Sequence, residues 1–427
     1  MSALVLFIAI LALIAINVPI AIALGVVAVV AMVASHGSEA LLNLPLVMYT
    51  GATSFPLIAI PLFILAGAIM NASGISRRLV ALASALLGFI RGALAMVSIG
   101  ASLFFAEISG SAVADVAALG SILIPAMKRK GYSKEFAAAV VSSSATLAVI
   151  IPPSIPMILY AAMADTSVVK LFVAGIIPGV LGGLLLMAVS YWFAVKNDFP
   201  VEQAFQLKRV WTTFREAAWA LLLPLIILGG IFGGVVTATE GAALAVAAAL
   251  FIGVVIYREL DWPHLKQAMI EGGIQTAVVM LLVAASALLG TYLTEIQAPQ
   301  KLAAAVAQLT DNRYLVLALL NLLFLVLGLF LHSAAAIILV VPVVMPLVQT
   351  VGIDPVHFGL IVTVNLGIGQ QTPPVASVLM TACSIAKSDI WETSKVNVYF
   401  IGVLLLVLIL VTYIPAIPMS LVHVFYG

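Results

Sequence analysis

The sequence predicts an all-α polytopic membrane protein that contains an internal inverted repeat. Of its 427 residues, 64% are hydrophobic and only 8% are charged, whereas soluble domains carry about 25% charged residues. Long apolar runs alternate with short segments that hold most of the Lys and Arg. In addition, the pair Pro152-Pro153 recurs at Pro373-Pro374, at an offset of 221 residues (373 − 152 = 221). This composition excludes a soluble enzyme or a nucleic-acid-binding domain, and the single cysteine excludes an internal disulfide.

Apolar segments long enough to cross a bilayer follow one another along the whole chain. A crossing takes about 20 apolar residues. The first segment has no Lys or Arg before it, so we interpret it as a retained span. The predicted segments lie near 3–33, 46–70, 92–127, 135–165, 171–195, 217–236, 241–257, 270–294, 314–349, 356–386 and 397–425.

Two of these segments are too long for one crossing and are interrupted in the middle. The 92–127 segment contains the run Glu107 to Ser111, and the 314–349 segment contains Leu331-His332-Ser333. A helical hairpin that enters the membrane and returns on the same side accounts for both the length and the interruption. We therefore predict two re-entrant hairpins.

The positions of the basic residues test this topology. With both hairpins re-entrant and the other segments single crossings, only Lys170, Lys301 and Arg313 of the 18 Lys and Arg lie on one side. Cytoplasmic loops are enriched in Lys and Arg, so the first hairpin opens to the cytoplasm and the second to the exterior. The side of residue 1 stays open, because Asn17-Val18-Pro19 could divide the first segment into two short helices.

The spacing of prolines and glycines indicates that the two halves are copies in opposite orientations. At the same offset of 221, Pro125 matches Pro346 and Gly131 matches Gly352. Upstream, amphipathic stretches near 75–89 and 298–309 suit an interfacial arm in each copy. The basic loop 128–134 corresponds to 349–354, which has no cation. Inverted repeats with interrupted helices are typical of secondary transporters, which bind substrate and ion near the midplane.

The first candidate site combines serines at the hairpin break with a double proline in the next segment. Prolines cannot donate backbone hydrogen bonds, so carbonyls about one turn earlier lose their helical partners. Free carbonyls and hydroxyls together form an oxygen cage that suits an alkali cation. The simpler alternative is that each serine only allows close helix packing. The residues are Ser109, Ser111, Ser142, Ser143, Ser144, Thr146 and Ser154, with the carbonyls of Ala148 to Ile150.

The second candidate site is the inverted copy. His332-Ser333 lies at the hairpin, and a polar and glycine-rich run from Asn365 to Thr372 precedes the second double proline. Such residues in the middle of an apolar segment have no packing purpose that alanine would not serve. Helix N-termini directed inward would offer amide donors to an anionic substrate.

Two acidic residues fall within the first hairpin, where ionisable groups are functional candidates. Glu107 and Asp115 either serve the site or lie at the hairpin mouth near water. Glu240 is interpreted as a helix-start residue. An intramembrane hydrolase using Ser109 or Ser111 with His332 is disfavoured, because the two tips enter from opposite sides and no Asp or Cys completes the arrangement.

These motifs resemble the large membrane subunit of tripartite ATP-independent periplasmic (TRAP) transporters over essentially the whole chain. The resemblance rests on the segment 107–115, on the turn Thr237 to Ala243 and on Gln371-Thr372-Pro373-Pro374. The turn departs from the usual Thr-Pro-Thr-Glu-Ala of the family at Ala238 and Gly241.

The resemblance implies a sodium-driven importer of a small organic acid, such as a C4-dicarboxylate or a sialic-acid-like carboxylate, in the bacterial inner membrane. A periplasmic binding protein would deliver the substrate, and a separate small four-helix membrane subunit would complete the complex. The fold would be that of an elevator transporter, with Na⁺ as coupling ion and no organic cofactor. The alternatives are a stand-alone sodium:anion symporter of related architecture and a non-transporting scaffold subunit.

The resemblance also implies site residues and a domain division. One sodium site would involve Ser109, Ala148, Ile150 and Pro153, and the other Ser333, Gly369 and Thr372. The substrate would contact Ser111, Asp115, Ser142, Ser143, Ser144, His332, Asn365, Gly367 and Gln371. The predicted parts are scaffold helices and arm (1–90), transport repeat 1 (91–195), scaffold helices and second arm (196–311), transport repeat 2 (312–396) and a C-terminal helix (397–427).

Overall fold

A computed structural model describes residues 3–16, 18–109, 111–201, 204–310 and 312–426. Over these residues the chain folds into 21 α-helices and short helical turns, without a strand. Ten helical segments of this part are long and apolar enough to cross a membrane. The prediction of an all-α polytopic membrane protein is therefore confirmed.

The N-terminal part forms a group of apolar helices followed by an amphipathic helix. The first predicted segment is divided into two helices, since the chain leaves the helix before Pro19, which cannot donate to a helical ladder. Gly74 has a φ of +70° and lets the chain turn into the amphipathic helix. The helices are α1 (Ala3–Ala15), α2 (Ile20–His36), α3 (Ala40–Ala52), α4 (Ala59–Ala72) and α5 (Ile75–Leu87).

The first repeat contains both predicted interruptions. Its long segment is divided into one helix that ends at Ser109 and another that begins at Ala112, and the chain leaves the next helix over 151–154, at the double proline. The peptide bond between Pro152 and Pro153 is cis. The helices are α6 (Ala93–Ser109), α7 (Ala112–Arg129), α8 (Lys134–Ala145), α9 (Leu147–Ile150), α10 (Ile155–Met163) and α11 (Val168–Lys196).

Two long helices, a shorter one and a second amphipathic helix connect the repeats. Thr237 and Glu240 form a reciprocal capping box, because the Thr237 hydroxyl accepts from the Glu240 amide and the Glu240 carboxylate accepts from the Thr237 amide. The helices are α12 (Leu207–Phe232), α13 (Ala238–Phe251), α14 (Trp262–Glu295) and α15 (Ala298–Leu309).

The second repeat follows the pattern of the first. Its long segment is divided at Leu331-His332, and the next helix ends at Gly369 and resumes at Ser377. The bond between Pro373 and Pro374 is also cis. The predicted C-terminal helix over 397–427 is instead two helices, because Pro415 interrupts the ladder. The helices are α16 (Arg313–Phe330), α17 (Ser333–Thr350), α18 (Pro355–Gly369), α19 (Ser377–Ala386), α20 (Ile390–Tyr413) and α21 (Ala416–Tyr426).

The two repeats interlock by exchanging equivalent contacts. α10, the second half of the first broken helix, packs against α17 of the other repeat, and α19 packs against α7. Likewise α8 packs against α20, and α18 packs against α11. The broken helices α8 to α10 and α18 are almost fully buried and form the centre of the molecule. Around them, α14 packs against α2, α3 and α4, and α13 packs against α4.

Candidate substrate and ion site

A cavity of about 420 Å³ lies where the four interruptions of the repeat meet. Ser111 contributes from the first hairpin, His332 and Ser333 from the second, and Val149 and Gln370 from the ends of the broken helices. Part of the wall comes from outside the repeats, namely from Ile64 of α4 and from Ile274, Gln275, Val278 and Val279 of α14. Ser111, His332 and Ser333, which the sequence singled out in two distant segments, therefore share one cavity.

Three helix N-termini open onto this cavity. The first residues of α7 (Ala112), α10 (Ile155) and α17 (Ser333) all line it. Neither α10 nor α17 has a side-chain cap at its start, so first-turn amides and the positive dipole ends remain for another acceptor. No Asp, Glu, Lys or Arg occurs among the described residues of the cavity wall. Such a site favours an anionic group over a cation of similar size.

The first break is closed by a local hydrogen bond. The chain is non-helical over 151–154, and the Ser154 hydroxyl donates to the carbonyl of Val149 at 2.8 Å. A hydroxyl thereby satisfies one carbonyl that the double proline leaves without a helical donor. Ser154 is fully buried, and its bond fixes Val149, a residue of the cavity wall.

The predicted carbonyl ligands of the first site lie in the same buried segment. Ala148, Ile150 and Pro153 are all enclosed. The Ile150 carbonyl lies close against α11, since a Cβ atom on Gly175 would stand 2.3 Å from its oxygen. The absence of a side chain at Gly175 therefore allows the Ile150 carbonyl to lie against α11. The side chains of Ser109 and Glu107 lie outside the described residues, so the structure does not place them.

The second break is joined directly to the second hairpin. The Gln370 amide donates to the hydroxyl of Ser333, and Thr372 donates to the Ile368 carbonyl at 3.0 Å. Gly369 packs so closely against α16 that a Cβ on it would lie 2.4 Å from the Cα of Gly328. The three predicted sodium ligands therefore lie close together in the fold. Gly369 and Thr372 are in the second break, and Ser333 is at the tip of the second hairpin, which bonds to that break.

A buried polar network links the two broken helices. The Ser143 hydroxyl contacts the Gln371 side-chain oxygen at 2.8 Å and the Asn397 oxygen at 2.9 Å. The Gln371 side-chain nitrogen donates to the hydroxyl of Thr146, and the Asn397 amide donates to the Gln371 carbonyl at 3.3 Å. Ser143 and Gln371, predicted as substrate contacts, therefore hold the repeats together and do not line the cavity.

A second polar contact ties hairpins to broken helices in both copies. The Asn365 amide donates to the Asn321 oxygen at 2.6 Å, and Asn321 donates to Thr412 at 3.1 Å. In the first repeat, the hydroxyls of Ser98 and Ser144 lie 3.3 Å apart. Ser144 precedes Asn365 by the repeat offset of 221 residues, so the same pair of helices is joined at the same place in each copy.

The other predicted substrate residues are also packed away from the cavity wall. Ser142 donates to the Ala139 carbonyl of its own helix at 3.0 Å, and a Cβ on Gly367 would lie 2.7 Å from the Thr146 methyl group. Asp115 is fully buried on α7. Of the predicted set, Ser111, His332 and Ser333 line the cavity.

The structure adds site residues that the sequence analysis did not single out. Gln275 lines the cavity together with Gln370 of the predicted Asn365 to Thr372 run, and Asn321 and Asn397 support it. Asn321 is a lone polar residue in the apolar part of α16, a functional signal that could have identified it, whereas Asn397 follows Glu392 and Lys395 in α20 and gives no such signal.

Comparison with known proteins agrees with this architecture. Residues 7–417 match the family model described as tripartite ATP-independent periplasmic transporter, DctM component. The isethionate TRAP transporter permease protein DctMQ of Oleidesulfovibrio alaskensis is 44% identical over 95% of this chain, which spans 64% of that relative's length. The C4-dicarboxylate TRAP transporter large permease protein DctM of Pseudomonas aeruginosa is 39% identical over 89% of each chain.

A solved structure shares the fold. The crystal structure of the Alcanivorax borkumensis YdaH transporter matches with a TM-score of 0.64, covers 90% of each chain and is 17% identical. The sequence matches are much closer and extend over nearly the whole chain. This protein belongs to the DctM component family of tripartite ATP-independent periplasmic transporters.

Proposed function

We propose that this chain carries out sodium-coupled import of a small organic anion through the cavity between the two hairpin tips. The observation that carries the proposal is the convergence of three helix N-termini on a cavity whose described wall has no charged side chain. Amide donors and dipole ends can hold an anion there without the cost of burying an intramembrane cation.

The substrate class follows from the chemistry of that site. A carboxylate and a sulfonate both present anionic oxygens to backbone amides, and the relatives are named for isethionate and C4-dicarboxylate transport. A small acid with one or two such groups suits a cavity of about 420 Å³. We therefore propose a small carboxylate or sulfonate, with sialic-acid-like sugar acids as a further class to test.

The coupling ions would bind beside the substrate, as cargo. Ser333, the Gly369 carbonyl and Thr372 supply hard oxygen donors for one Na⁺. Ser109 with the carbonyls of Ala148, Ile150 and Pro153 would supply the other. Alkali cations prefer such oxygen ligands. Since the Ser333 hydroxyl accepts from Gln370, ion binding at Ser333 would release that bond and alter the second hairpin tip.

Transport would proceed by an elevator motion. The two repeats interlock through reciprocal contacts of α7, α10, α17 and α19, which favours their moving as one body. Helices α4 and α14 close the cavity from outside the repeats and would form part of the fixed scaffold. The two hairpins would then open to the substrate from opposite sides of the membrane.

The partners proposed are those implied by the family description. A periplasmic binding protein would deliver the substrate, and a small membrane subunit would complete the permease. The description names a tripartite periplasmic transporter, and the relative named DctMQ is longer than the matched region. The distribution of Lys and Arg supports an orientation in the bacterial inner membrane with most basic loops in the cytoplasm.

Uptake in proteoliposomes tests this function. The chain, with and without the partner proteins, is supplied with labelled isethionate, succinate or sialic acid under an inward Na⁺ gradient. We expect uptake of at least one acid with the partners and Na⁺, and loss of more than ten-fold in Ser333→Ala and Thr372→Ala. Ser121→Ala and Thr350→Ala are matched controls, because each hydroxyl bonds only a carbonyl of its own helix.

Other outcomes separate the alternatives. Full uptake by the chain alone would favour a stand-alone symporter, and uptake that ignores Na⁺ would refute sodium coupling. Failure of all three acids in a complex that assembles correctly would favour a scaffold subunit.

A further inference from the structure

A large apolar groove lies between the amphipathic helix α5, the hairpin helix α6 and the first half of α12. Its volume is about 730 Å³. Its single charged lining residue among those described is Lys208, at the α12 start. The other lining residues are Leu82, Leu86, Phe104, Leu207, Val210, Trp211, Phe214 and Leu221.

The groove continues into the molecule. A second cavity of about 390 Å³ shares Leu86 and Phe104 with it. That cavity reaches Ile151 and Pro152 of the first helix break and the surface of α11 at Ile176. The two adjoining cavities are here called the arm groove, which extends from the α12 start along α5 to the broken helix.

The outer end of the arm groove carries cations and an aromatic anchor. Lys208, Arg209 and Arg215 are exposed near the start of α12, and no ion pair joins them to any residue in the described part of the chain. Trp211, which is 61% exposed, lies beside them as interfacial tryptophans do. These cations fall on the Lys- and Arg-rich side of the predicted topology, where the membrane leaflet is anionic.

We propose that the arm groove binds a phospholipid with an anionic headgroup. Its acyl chain would fill the arm groove beside Leu86 and Phe104, and its phosphate would lie against Lys208 and Arg209. Charge complementarity favours this occupant. The apolar lining suits an acyl chain, and the basic residues at the outer end suit the phosphate of an anionic headgroup at the membrane surface. The lipid would lie against α5, α6 and the first half of α12.

Tryptophan quenching by brominated lipid tests the proposal. The full chain, with Trp192, Trp219, Trp262 and Trp391 replaced by Phe, keeps only Trp211. It is reconstituted in mixtures that contain phosphatidylglycerol or phosphatidylcholine with brominated acyl chains. We expect several-fold stronger association of brominated phosphatidylglycerol at Trp211, and we expect the double variant Lys208→Gln with Arg209→Gln to abolish the preference.

Two controls make the effect specific to the groove. Arg258→Gln, which removes an exposed cation on another loop, should leave the preference at Trp211 unchanged. A chain that keeps only Trp262, which is 71% exposed, should show a lipid preference that does not respond to the Lys208 and Arg209 changes.

A second measurement does not depend on the tryptophan replacements. Native mass spectrometry of the otherwise unaltered chain should detect bound phosphatidylglycerol, and the Lys208 and Arg209 variant should retain several-fold less. Equal quenching by both lipids at Trp211, with no retained lipid, would overturn the proposal in favour of ordinary boundary lipid. Loss of quenching when the small membrane subunit is added, without any headgroup preference, would overturn it in favour of a protein occupant.

Discussion

Gln371 has a central position among the buried polar side chains. It bonds Ser143 and Thr146 of the first repeat and lies beside Asn397 of α20. Its side chain therefore satisfies polar groups of both repeats at once. In an apolar interior, each group left without a partner costs the full desolvation penalty.

Replacement of this side chain tests the network. Gln371→Ala removes a side-chain partner that Ser143, Thr146 and Asn397 share, so we expect a loss of about 1–3 kcal/mol of stability, seen as a lower unfolding temperature in detergent. Gln275→Ala is the control, since that glutamine is exposed at the cavity wall and its removal should change stability little. An unchanged unfolding temperature for Gln371→Ala would contradict the network.

Glu259 provides a residue whose protonation affects stability. It lies between α13 and α14 and pairs with Arg78 at 2.7 Å and Arg77 at 2.9 Å. The hydrogen bond from Arg78, together with the charges of both arginines, lowers the pKa of Glu259 below its ordinary value. Arg78 also stacks over the Tyr257 ring at 3.7 Å, which fixes the start of α5 to this loop.

The sign of the pH effect follows from that lowered pKa. The pair stabilises the fold above the unfolded carboxyl pKa, and its contribution is lost as pH falls through the lower folded value. At pH 7 we expect Glu259→Gln to cost about 1 kcal/mol, since the pair is partly exposed. The difference from the parent chain in thermal unfolding should shrink as pH falls through the lowered folded pKa, and a difference that does not change with pH would show that the charge is not the cause.

At the residue level, the sequence predicted which segments carry the polar groups but not what each group contacts. Ser111, His332 and Ser333 were placed at the cavity by the hairpin breaks alone. Ser143 and Asn365 were predicted as substrate contacts, yet they bond side chains that are far away in sequence. Those partners depend on how the two repeats pack against each other, and a local sequence pattern does not determine that packing.

The close approach of α16 and α18 is the clearest packing constraint at the level of elements. Gly328 and Gly369 lie against each other, and a Cβ on Gly369 would come within 2.4 Å of the Gly328 Cα and within 2.8 Å of its carbonyl oxygen. Both neighbours are backbone atoms, which cannot rotate away as a side chain can. The first half of the second hairpin is thereby fixed to the end of the broken helix.

A single methyl group tests this contact. Gly369→Ala should force the two helices apart and cost about 1–3 kcal/mol through overpacking, measured as reduced thermal stability. Gly402→Ala on α20 is the matched control, because nothing lies within 4 Å of its added Cβ; it should be neutral or slightly stabilising. Equal behaviour of the two variants would contradict the tight contact.

The inverted repeat was recognisable at this level from prolines and glycines. The breaks lie at 151–154 and after Gly369, where the double prolines remove backbone donors. The reciprocal packing of α10 on α17 and of α19 on α7 could not be predicted, because apolar helix faces of similar composition do not specify which helix each one packs against. The C-terminal division at Pro415 was missed, although proline signalled it.

For the whole molecule, composition alone determined the class, and the family comparison agrees with it. The cavity and its α14 wall emerge only when the two distant halves are folded together. We propose that the hairpin tips move relative to α4 and α14 while substrate and Na⁺ occupy the cavity between them.

A reversible cross-link across the cavity tests this account most directly. Gln275 of α14 and Ala334 of the second hairpin line the same cavity, and each is replaced by Cys in a chain with Cys383→Ser. We predict that linking the pair with a short bifunctional thiol reagent stops sodium-driven uptake in proteoliposomes, that reductive cleavage of the linker restores it, and that neither single variant responds. Undiminished uptake with the cross-link formed would contradict movement of the tips along α14.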